Sequence, residues 1–321
     1  MIVPLLIAVS TYVNPLPLPG YQLGFKCRGI ANGTALPTNS HERWLWRSPE
    51  TRQFREAADP SAYFEDGRLY LYASCGGVWT SDDFGGSWVR HELPGVETRY
   101  APTIVRHRGR YWLLGCNRVL FAADSPLGPF EKVGTMPVEE GDPMLFSDDD
   151  GRLYLYFGDV KGVELDPANP LVLKGAPRQL VSFDPEGQPW ERAPDRPDTA
   201  WMEGAWVFKR EGRYYLLYSA AGTHNPEYAI GCAISDRPLG PFVRQRKNPV
   251  FRKTTGLVTG TAHGSVVAYP NGEYWLFYTI LAGGYHAYER LVGMDRITFD
   301  DHGEIIPSEA TETPQRLPEK P

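Results

Sequence analysis

The sequence predicts an all-β protein, folded as a five-bladed β-propeller with four-stranded antiparallel blades. Three observations predict this class: one strand–turn–strand pattern occurs five times, a glycine stands in each of the five turns, and 33 Gly and 29 Pro are spread along the 321 residues. Frequent glycine and proline between short apolar runs is typical of strands joined by turns. Five repeats leave no length for a second domain, so residues 1–321 are expected to form one domain, with residues 1–20 packing on the propeller or closing it.

Each repeat consists of an alternating apolar strand, a tight turn with glycine, and an aromatic-rich strand. The five segments are DPSAYFEDGRLYLYAS from Asp59, APTIVRHRGRYWLLGC from Ala101, DPMLFSDDDGRLYLYFG from Asp142, EGAWVFKREGRYYLLYS from Glu203 and HGSVVAYPNGEYWLFYT from His263. Asp-Gly and Asn-Gly between alternating runs are strong hairpin signals. The turn glycines are Gly67, Gly109, Gly151, Gly212 and Gly272, which lie 42, 42, 61 and 60 residues apart. This period fits a hairpin followed by two outer strands, which is one propeller blade.

Four of the five repeats carry a polar residue at one point, eight or nine residues before the turn glycine. The residues there are Asp59, Ala101, Asp142, Glu203 and His263. The first strand of a propeller blade is innermost, so these residues are expected to ring the axis at one mouth. Carboxylates brought together raise one another's pKa, a cost that is typical of active sites. Taken singly, an Asp-Pro step is often only a turn signal, so the shared register carries the prediction.

Carboxylates in different environments suit glycoside hydrolysis. One carboxyl group must stay protonated to donate to the leaving oxygen, while another must stay ionised to deprotonate water. A third carboxylate can keep the pKa of the acid raised and hold the acid in place. Such general acid–base assistance contributes roughly 10²–10⁴-fold in rate. Three carboxylates in one register therefore predict a sugar-cleaving enzyme.

The repeats, taken together in order and spacing, also carry a family resemblance. The segments concerned are ADPSAYFEDGRLYLY, RYAPTIVRHRGRYWLL, GDPMLFSDDDGRLYLYFG, MEGAWVFKREGRYYLLYSA and GTAHGSVVAYPNGEYWLFY. From about residue 55 to about residue 300 the chain resembles glycoside hydrolase family 43. The resemblance implies that Asp59 is the general base, that Asp142 modulates the pKa of the acid and orients it, and that Glu203 is the general acid. It also implies inversion of anomeric configuration, no organic cofactor, and a central cation, often calcium held largely through water, near His263.

Three aromatic side chains are candidates for binding the sugar. Tyr100 stands where the family usually has a tryptophan, and Trp201 precedes Glu203 by two residues. Either ring offers an apolar platform for a sugar face. Trp79 is the third candidate, and ordinary packing within the blade explains it equally well.

Arg290 is the fourth candidate for sugar binding. It either binds a sugar hydroxyl, as a late arginine does in many relatives, or pairs with Glu289 or Asp295 on the surface. The long connections at residues 160–200 and 244–262 are expected to shape the pocket, since their composition suits structured loops.

The predicted activity is exo-acting, inverting hydrolysis of side chains on plant-type polysaccharides or of oligosaccharides. The resemblance favours an α-L-arabinofuranosidase or a β-D-xylosidase. The alternatives are a β-galactosidase or galactofuranosidase of the same fold, and a carbohydrate-binding propeller without activity. A sialidase-like propeller is disfavoured because the Asp-box pattern occurs clearly once, in residues 81–88. A fructosidase-like propeller would need an Asn-Asp-Pro-Asn-Gly motif, which residues 58–62 lack.

Composition disfavours several other classes of protein. The net charge of −6 argues against a nucleic-acid-binding protein, and no apolar run approaches the ~18 residues of a membrane helix. The N-terminal MIVPLLIAVSTYV has no basic region and contains Pro4, which favours a buried strand over a signal peptide and a cytoplasmic protein over a secreted one. Cys27, Cys75, Cys116 and Cys232 show no CxxC spacing, so they are expected to pack as small hydrophobic residues. A carbohydrate substrate is the one partner predicted, and the oligomeric state stays open.

Overall fold

The strands of the molecule fall into successive blades along the chain. The computed structural model describes residues 10–20, 57–282 and 290–319. Blade 1 contains β2 (Ser61–Glu65), β3 (Arg68–Ala73), β4 (Gly77–Ser81) and β5 (Val89–His91); blade 2 contains β6 (Thr103–His107), β7 (Arg110–Leu114), β8 (Val119–Ala123) and β9 (Glu131–Thr135). Blade 3 contains β10 (Met144–Ser147), β11 (Leu153–Phe157), β12 (Lys161–Leu165) and β13 (Arg178–Gln179). Blade 4 contains β14 (Met202–Arg210), β15 (Arg213–Ala220), β16 (Ala229–Ser235) and β17 (Val243–Arg244). Blade 5 contains β18 (Val258–Ala268), β19 (Tyr274–Ala282) and β20 (Arg290–Ile297), and β1 (Thr11–Tyr12) pairs with β21 (Gln315–Arg316) outside the blades.

The hairpin between the first two strands of each blade follows from local sequence. The five turn glycines have φ between +76° and +89°, a conformation that glycine adopts without steric cost. In blade 1 the turn Asp66-Gly67 brings Glu65 opposite Arg68 in an antiparallel register. Helical structure in the described residues is limited to two short 3₁₀ turns, Ser74–Gly76 and Pro189–Glu191. The predicted all-β, five-bladed propeller of antiparallel blades is confirmed.

The N-terminal segment occupies the outer edge of blade 5, alongside β20. The backbone N–H of Leu16 donates to the carbonyl oxygen of Val292 at 2.9 Å. Asn14 Oδ1 accepts the N–H of Met294 at 2.9 Å, and Asn14 Nδ2 donates to Asp295 Oδ2 at 3.2 Å. The start of the described chain therefore lies where a fourth strand stands in the other blades, and it ties the first part of the chain to the last blade.

Hydrophobic and aromatic side chains fill the space between neighbouring blades. The largest fully buried side chains are Trp79, Tyr72, Tyr154, Tyr156, Tyr215, Tyr218, Tyr228, Tyr278, Phe251 and Phe277. Each such aromatic ring removes a large apolar area from water, which is the main stabilising contribution to a sheet-on-sheet core. On the axis, side chains from all five inner strands line a cavity of about 290 Å³.

Neighbouring blades are also joined by a repeated hydrogen bond at one mouth of the ring. In four blades, a hydroxyl or thiol on or just after the second strand accepts the backbone N–H that begins the next blade. These side chains, here called the latch residues, are Ser74 (Oγ to Ala101 N, 3.0 Å), Cys116 (Sγ to Asp142 N, 3.1 Å), Ser219 (Oγ to His263 N, 2.8 Å) and Thr279 (Oγ1 to Asp59 N, 2.8 Å). The last of these bonds joins blade 5 to blade 1 and closes the ring.

The predictions for the chain's start and its cysteines are only partly covered by the described residues. The buried strand expected at the N-terminus falls largely on residues 1–9, outside the described ranges. Cys27 and the side chain of Cys75 also lie outside the described part of the structure. Cys232 is fully buried in a hydrophobic cluster, in line with its predicted packing role. Within the described ranges, no helix is long and apolar enough to cross a membrane.

Candidate active site

In each blade, one residue just before or within the inner strand adopts a left-handed backbone conformation. The φ angle is +50° at Asp59, +42° at Ala101, +52° at Asp142, +61° at Gly204 and +46° at His263. This conformation is uncommon for residues other than glycine, and it is found preferentially at functional sites. Its recurrence in all five blades marks this mouth of the propeller as the place where the polar residues meet.

The sequence register predicted that Glu203 occupies the shared position of blade 4. In the structure Gly204 occupies that position, and Glu203 lies one residue before it. Gly204 has the left-handed conformation in blade 4, and it stands eight residues before Gly212. The register of β14 against β15 shifts between Glu203 and Trp206, which is a β-bulge of the kind that re-aims side chains beside active sites. Glycine is required next to it, because a Cβ on Gly204 would lie 2.9 Å from His263 Cγ.

Asp59 is buried with both carboxylate oxygens hydrogen-bonded. Arg290 donates from Nη1 to Oδ1 at 2.8 Å and from Nη2 to Oδ2 at 3.0 Å, and Ser74 Oγ donates to Oδ2 at 2.5 Å. Burial raises the pKa of Asp59, but the charge of Arg290, the neighbouring His263 and the Ser74 hydrogen bond together outweigh burial and bring that pKa below its ordinary value. Asp59 is therefore ionised at neutral pH.

The imidazole of His263 lies between two carboxylates. Its Nδ1 is 3.5 Å from Asp59 Oδ1 and 3.9 Å from Asp142 Oδ2. Asp142 also contacts Cys116, whose thiol donates to Oδ1 at 3.2 Å and accepts the backbone N–H of Asp142 at 3.1 Å. The sequence predicted that Cys116 packs as a small hydrophobic residue, whereas the structure includes it in a polar cluster because it occupies a latch position.

The pKa of Glu203 is shifted in the direction opposite to that of Asp59. Tyr228, which is fully buried, donates its hydroxyl to Glu203 Oε1 at 2.7 Å. Burial, followed by the charge of Asp142, raises the pKa of Glu203 to about 7. His263 and the hydrogen bonds from Tyr228 and Trp201 oppose this shift. Glu203 is thus protonated in a large fraction of molecules at neutral pH, while Asp59 is ionised, and such a separation of pKa values is how acid and base roles are divided.

Trp201 and Tyr100 lie beside this cluster. Trp201 is half-buried and carries the guanidinium of Arg196 at 5.3 Å from its ring centroid. Tyr100 is also half-buried, and its carbonyl oxygen accepts the backbone N–H of Cys116 at 3.0 Å. Trp201 lies two residues before Glu203 in the chain, and the backbone of Tyr100 is bonded to Cys116, which contacts Asp142.

Trp79 is placed differently. It is fully buried, its ring packs over Gly77, and its Nε1 donates to the carbonyl oxygen of Pro19 at 2.8 Å. A ring without an exposed face offers a sugar no surface for stacking. The packing explanation therefore applies to Trp79, and the structure does not bring it to the site.

Arg290 is buried and belongs to the cluster, since it forms the two-point contact with Asp59. Its Nη1 also donates to Thr223 Oγ1 at 3.0 Å. Asp295, one of the two surface partners considered for it, is instead buried against the N-terminal segment, and Glu289 lies outside the described residues.

The latch residues went unnoticed in the sequence, although a signal for them exists. The residues seven positions after the turn glycines are Ser74, Cys116, Gly158, Ser219 and Thr279, and four of these five carry a hydroxyl or thiol. A comparison of the repeats at that point would have found them. Tyr228 has no such signal, because it lies in a connection that the repeats do not share.

The side chains around His263 do not form a direct calcium cage. Calcium takes six to eight oxygen ligands, and both oxygens of Asp59 are already bound by Arg290 and Ser74. In the described part of the chain, no group of three or more His, Cys, Asp and Glu side chains is placed to hold a metal ion.

A family model described as "Glycosyl hydrolases family 43" matches residues 87–305. The chain belongs to glycosyl hydrolase family 43. This family-43 protein is a glycoside hydrolase, which confirms the resemblance seen in the repeats. A solved structure described as a thermostable family-43 glycoside hydrolase superposes with a TM-score of 0.72 and 27% identity, covering 83% of this chain and 96% of that one.

Curated relatives of this family-43 hydrolase carry several sugar specificities in their names. Xylosidase/arabinosidase 43A of Humicola insolens is 29% identical over 338 residues, covering 80% of this chain and 97% of that protein. The beta-xylosidase of Xylanibacter ruminicola is 28% identical over 289 residues, covering 69% and 86%. The beta-D-galactofuranosidase xynD of Aspergillus niger is 30% identical over 197 residues, covering 58% of this chain and 53% of that protein, so the match spans about half of that relative.

Proposed function

We propose that this family-43 hydrolase uses Asp59 as general base and Glu203 as general acid, with Asp142 keeping the acid protonated. The observation that carries the proposal is the opposite electrostatic state of the two groups. The pKa of Asp59 lies below its ordinary value, whereas that of Glu203 is raised to about 7. An acid with a pKa near neutrality and a base that stays ionised are the two groups that glycosidic bond hydrolysis needs.

In the proposed reaction, Glu203 donates its proton to the leaving oxygen as the glycosidic bond breaks. Asp59 takes a proton from the water that attacks the anomeric carbon on the opposite face, and the single displacement inverts the configuration. Arg290 and Ser74 hold the Asp59 carboxylate in one orientation through hydrogen bonds of 2.5 to 3.0 Å. The inverting outcome rests on the family resemblance of the catalytic segments.

The proposed substrate is a terminal α-L-arabinofuranoside or β-D-xyloside on a polysaccharide side chain or an oligosaccharide. Two relatives that cover most of this chain are named for xylosidase or arabinosidase activity. A β-D-galactofuranoside is the second candidate, because the Aspergillus niger relative, at 30% identity, is named for it. We place the sugar against Tyr100 and Trp201, the two half-buried aromatic residues beside the carboxylates.

We assign no step of this mechanism to the calcium that the resemblance implied near His263. Asp59 Oδ1, which lies 3.5 Å from His263 Nδ1, accepts from Arg290 Nη1, and Asp59 Oδ2 accepts from Arg290 Nη2 and Ser74 Oγ. The positive partner of the site is the guanidinium of Arg290, which is held on the carboxylate at two points.

The proposal is tested by hydrolysis of four nitrophenyl glycosides: α-L-arabinofuranoside, β-D-xyloside, β-D-galactoside and β-D-galactofuranoside. The wild-type enzyme and Glu203→Gln are compared, because glutamine keeps the shape and the Tyr228 contact and removes the proton. We expect release from one substrate, lost in the variant by roughly 10²-fold or more. Proton NMR of the first sugar released identifies its anomer and tests inversion. Equal activity of wild type and Glu203→Gln would overturn the assignment of the acid.

A further inference from the structure

The latch residues do more than join the blades, because three of them also touch a carboxylate of the site. Ser74 Oγ lies 2.5 Å from Asp59 Oδ2, and Thr279 Oγ1 lies 3.4 Å from Asp59 Oδ1. Asp59 is therefore held by two latch residues: Thr279 of the preceding blade, blade 5, and Ser74 of its own blade, blade 1. These contacts, added to Arg290, leave its carboxylate one orientation.

Asp142 is held by fewer groups. The latch residue of the preceding blade, blade 2, is Cys116, whose sulfur is 3.2 Å from Asp142 Oδ1. The latch position of its own blade, blade 3, lies seven residues after Gly151 and is occupied by Gly158, which has no side chain to contact Asp142. His263 approaches the other oxygen no closer than 3.9 Å. The side chain of Asp142 is also 20% exposed, against 4% for Asp59, so the surrounding packing constrains it less.

The thiol of Cys116 is suited to hold this carboxylate. A thiol has one weak donor and a sulfur that accepts weakly, and here the sulfur accepts the Asp142 N–H while the S–H donates to Oδ1. Burial, followed by the negative charge of Asp142, raises the pKa of Cys116 well above its ordinary value. The sulfur therefore stays protonated at neutral pH and can act as a donor to a carboxylate without adding a second negative charge.

We propose that Cys116 is a positioning residue of the hydrolysis: its thiol fixes the Asp142 carboxylate at the place from which that charge acts on Glu203. The inference rests on the proposed function, in which Glu203 is the acid. When the thiol is removed, Asp142 gains freedom to turn toward solvent, and its repulsion of the Glu203 anion weakens. Glu203 then loses its proton at lower pH and is a poorer donor near neutrality.

The test compares Cys116→Ala, Cys116→Ser and wild type, with Cys232→Ala as the matched control. Cys232 is a free cysteine buried in a hydrophobic cluster, and it touches none of the carboxylates of the site. Each protein is assayed from pH 4 to pH 9 on two glycosides of the sugar that wild type hydrolyses, with 4-nitrophenolate and 2,4-dinitrophenolate as leaving groups. The dinitrophenolate leaves with little help from an acid, so a defect that acts through Glu203 is largely hidden with it.

For Cys116→Ala we expect the basic limb of kcat/KM to move to lower pH by roughly half a unit. On the nitrophenyl substrate kcat should fall on the order of tenfold, with KM little changed, since misplaced catalytic groups typically cost this much or more. On the dinitrophenyl substrate the loss should be about twofold or less. Cys116→Ser, which keeps a donor and an acceptor, should restore most of the activity and the wild-type pH limb, and Cys232→Ala should match wild type.

Equal losses on the two leaving groups, or an unmoved basic limb, would show a merely structural role for Cys116 and overturn the inference. If the alanine variant does not fold, Cys116→Val, which removes the S–H with similar volume, is assayed in its place. Failure of the two proposals is distinguishable. An inactive Glu203→Gln with a wild-type-like Cys116→Ala refutes the role of Cys116 alone, whereas an active Glu203→Gln refutes the proposed acid and this inference with it.

Discussion

Removal of the charge on Asp142 should lower the pKa of Glu203 and move the pH profile with it. The pKa of Glu203 is raised from 4.5 to about 7, chiefly by burial and next by the charge of Asp142. Asp142→Asn abolishes the second cause and leaves the first, so part of the difference should disappear. We expect the pKa of the acid to fall by about one unit, which corresponds to about 1.4 kcal/mol.

The sign and size of the kinetic effect follow from titration of the acid. A general acid works while protonated, so the basic limb of the profile should move to lower pH. At pH 7 the protonated fraction of Glu203 would fall from about one half to about one tenth, and kcat/KM would fall about fivefold from this cause alone. Below pH 5 the two enzymes should converge, apart from any loss that comes from the orientation of the acid.

The assay is kcat/KM for the preferred nitrophenyl glycoside between pH 4 and pH 9, since this constant reports the pKa values of the free enzyme. Asp124→Asn is the matched control, because it removes the same charge from a side chain that is 91% exposed. The control should leave the profile where it is in the wild type. A basic limb that stays in place, or moves to higher pH, in Asp142→Asn would refute the electrostatic link between Asp142 and Glu203.

Two further predictions concern the surroundings of Asp59. Arg290→Met leaves a buried carboxylate without its counter-ion, so the pKa of Asp59 should rise, the acid limb of kcat/KM should move to higher pH, and activity at neutral pH should fall roughly 10²-fold. Arg290→Lys keeps the charge and loses the two-point contact, so its activity should lie between those of Arg290→Met and wild type. An acid limb that moves in neither variant would contradict the pairing of Arg290 with Asp59. Dialysis against a chelator should leave kcat unchanged, because both carboxylate oxygens of Asp59 are engaged by protein donors. Activity that is lost on dialysis and restored by added calcium would refute that expectation.

The order of blades and the identity of the carboxylates could be predicted because both depend on local or repeated features. The turn glycines mark hairpins by their own backbone preference. Five similar hairpins repeated along one chain are typical of few folds, of which the β-propeller is one. Asp59 and Asp142 were found by position, since each stands two residues before an inner strand. Their left-handed backbone conformation was not predicted from the sequence. Glu203 was found by spacing, although its actual position is one residue earlier in the blade.

The displacement of Glu203 arises from a bulge that has no local sequence mark. The pairing of β14 with β15 absorbs one extra residue there, and Gly204 takes the strained position because His263 from the next blade leaves no room for a side chain. The constraint is therefore set by a residue about sixty positions away in the chain, which only the closed ring brings near.

The chain's sequence by itself determined the fold class, the number of blades and the set of carboxylates, because hairpin turns and strand alternation are encoded within a few residues. Only the tertiary structure decided the protonation states, through burial of Glu203 beside Asp142 and the contact between Asp59 and Arg290. It also decided that Trp79 is core and that Cys116 touches the Asp142 carboxylate. Charge, burial and hydrogen bonding between distant residues depend on distances in space, and those distances exist only once the blades have closed into a ring.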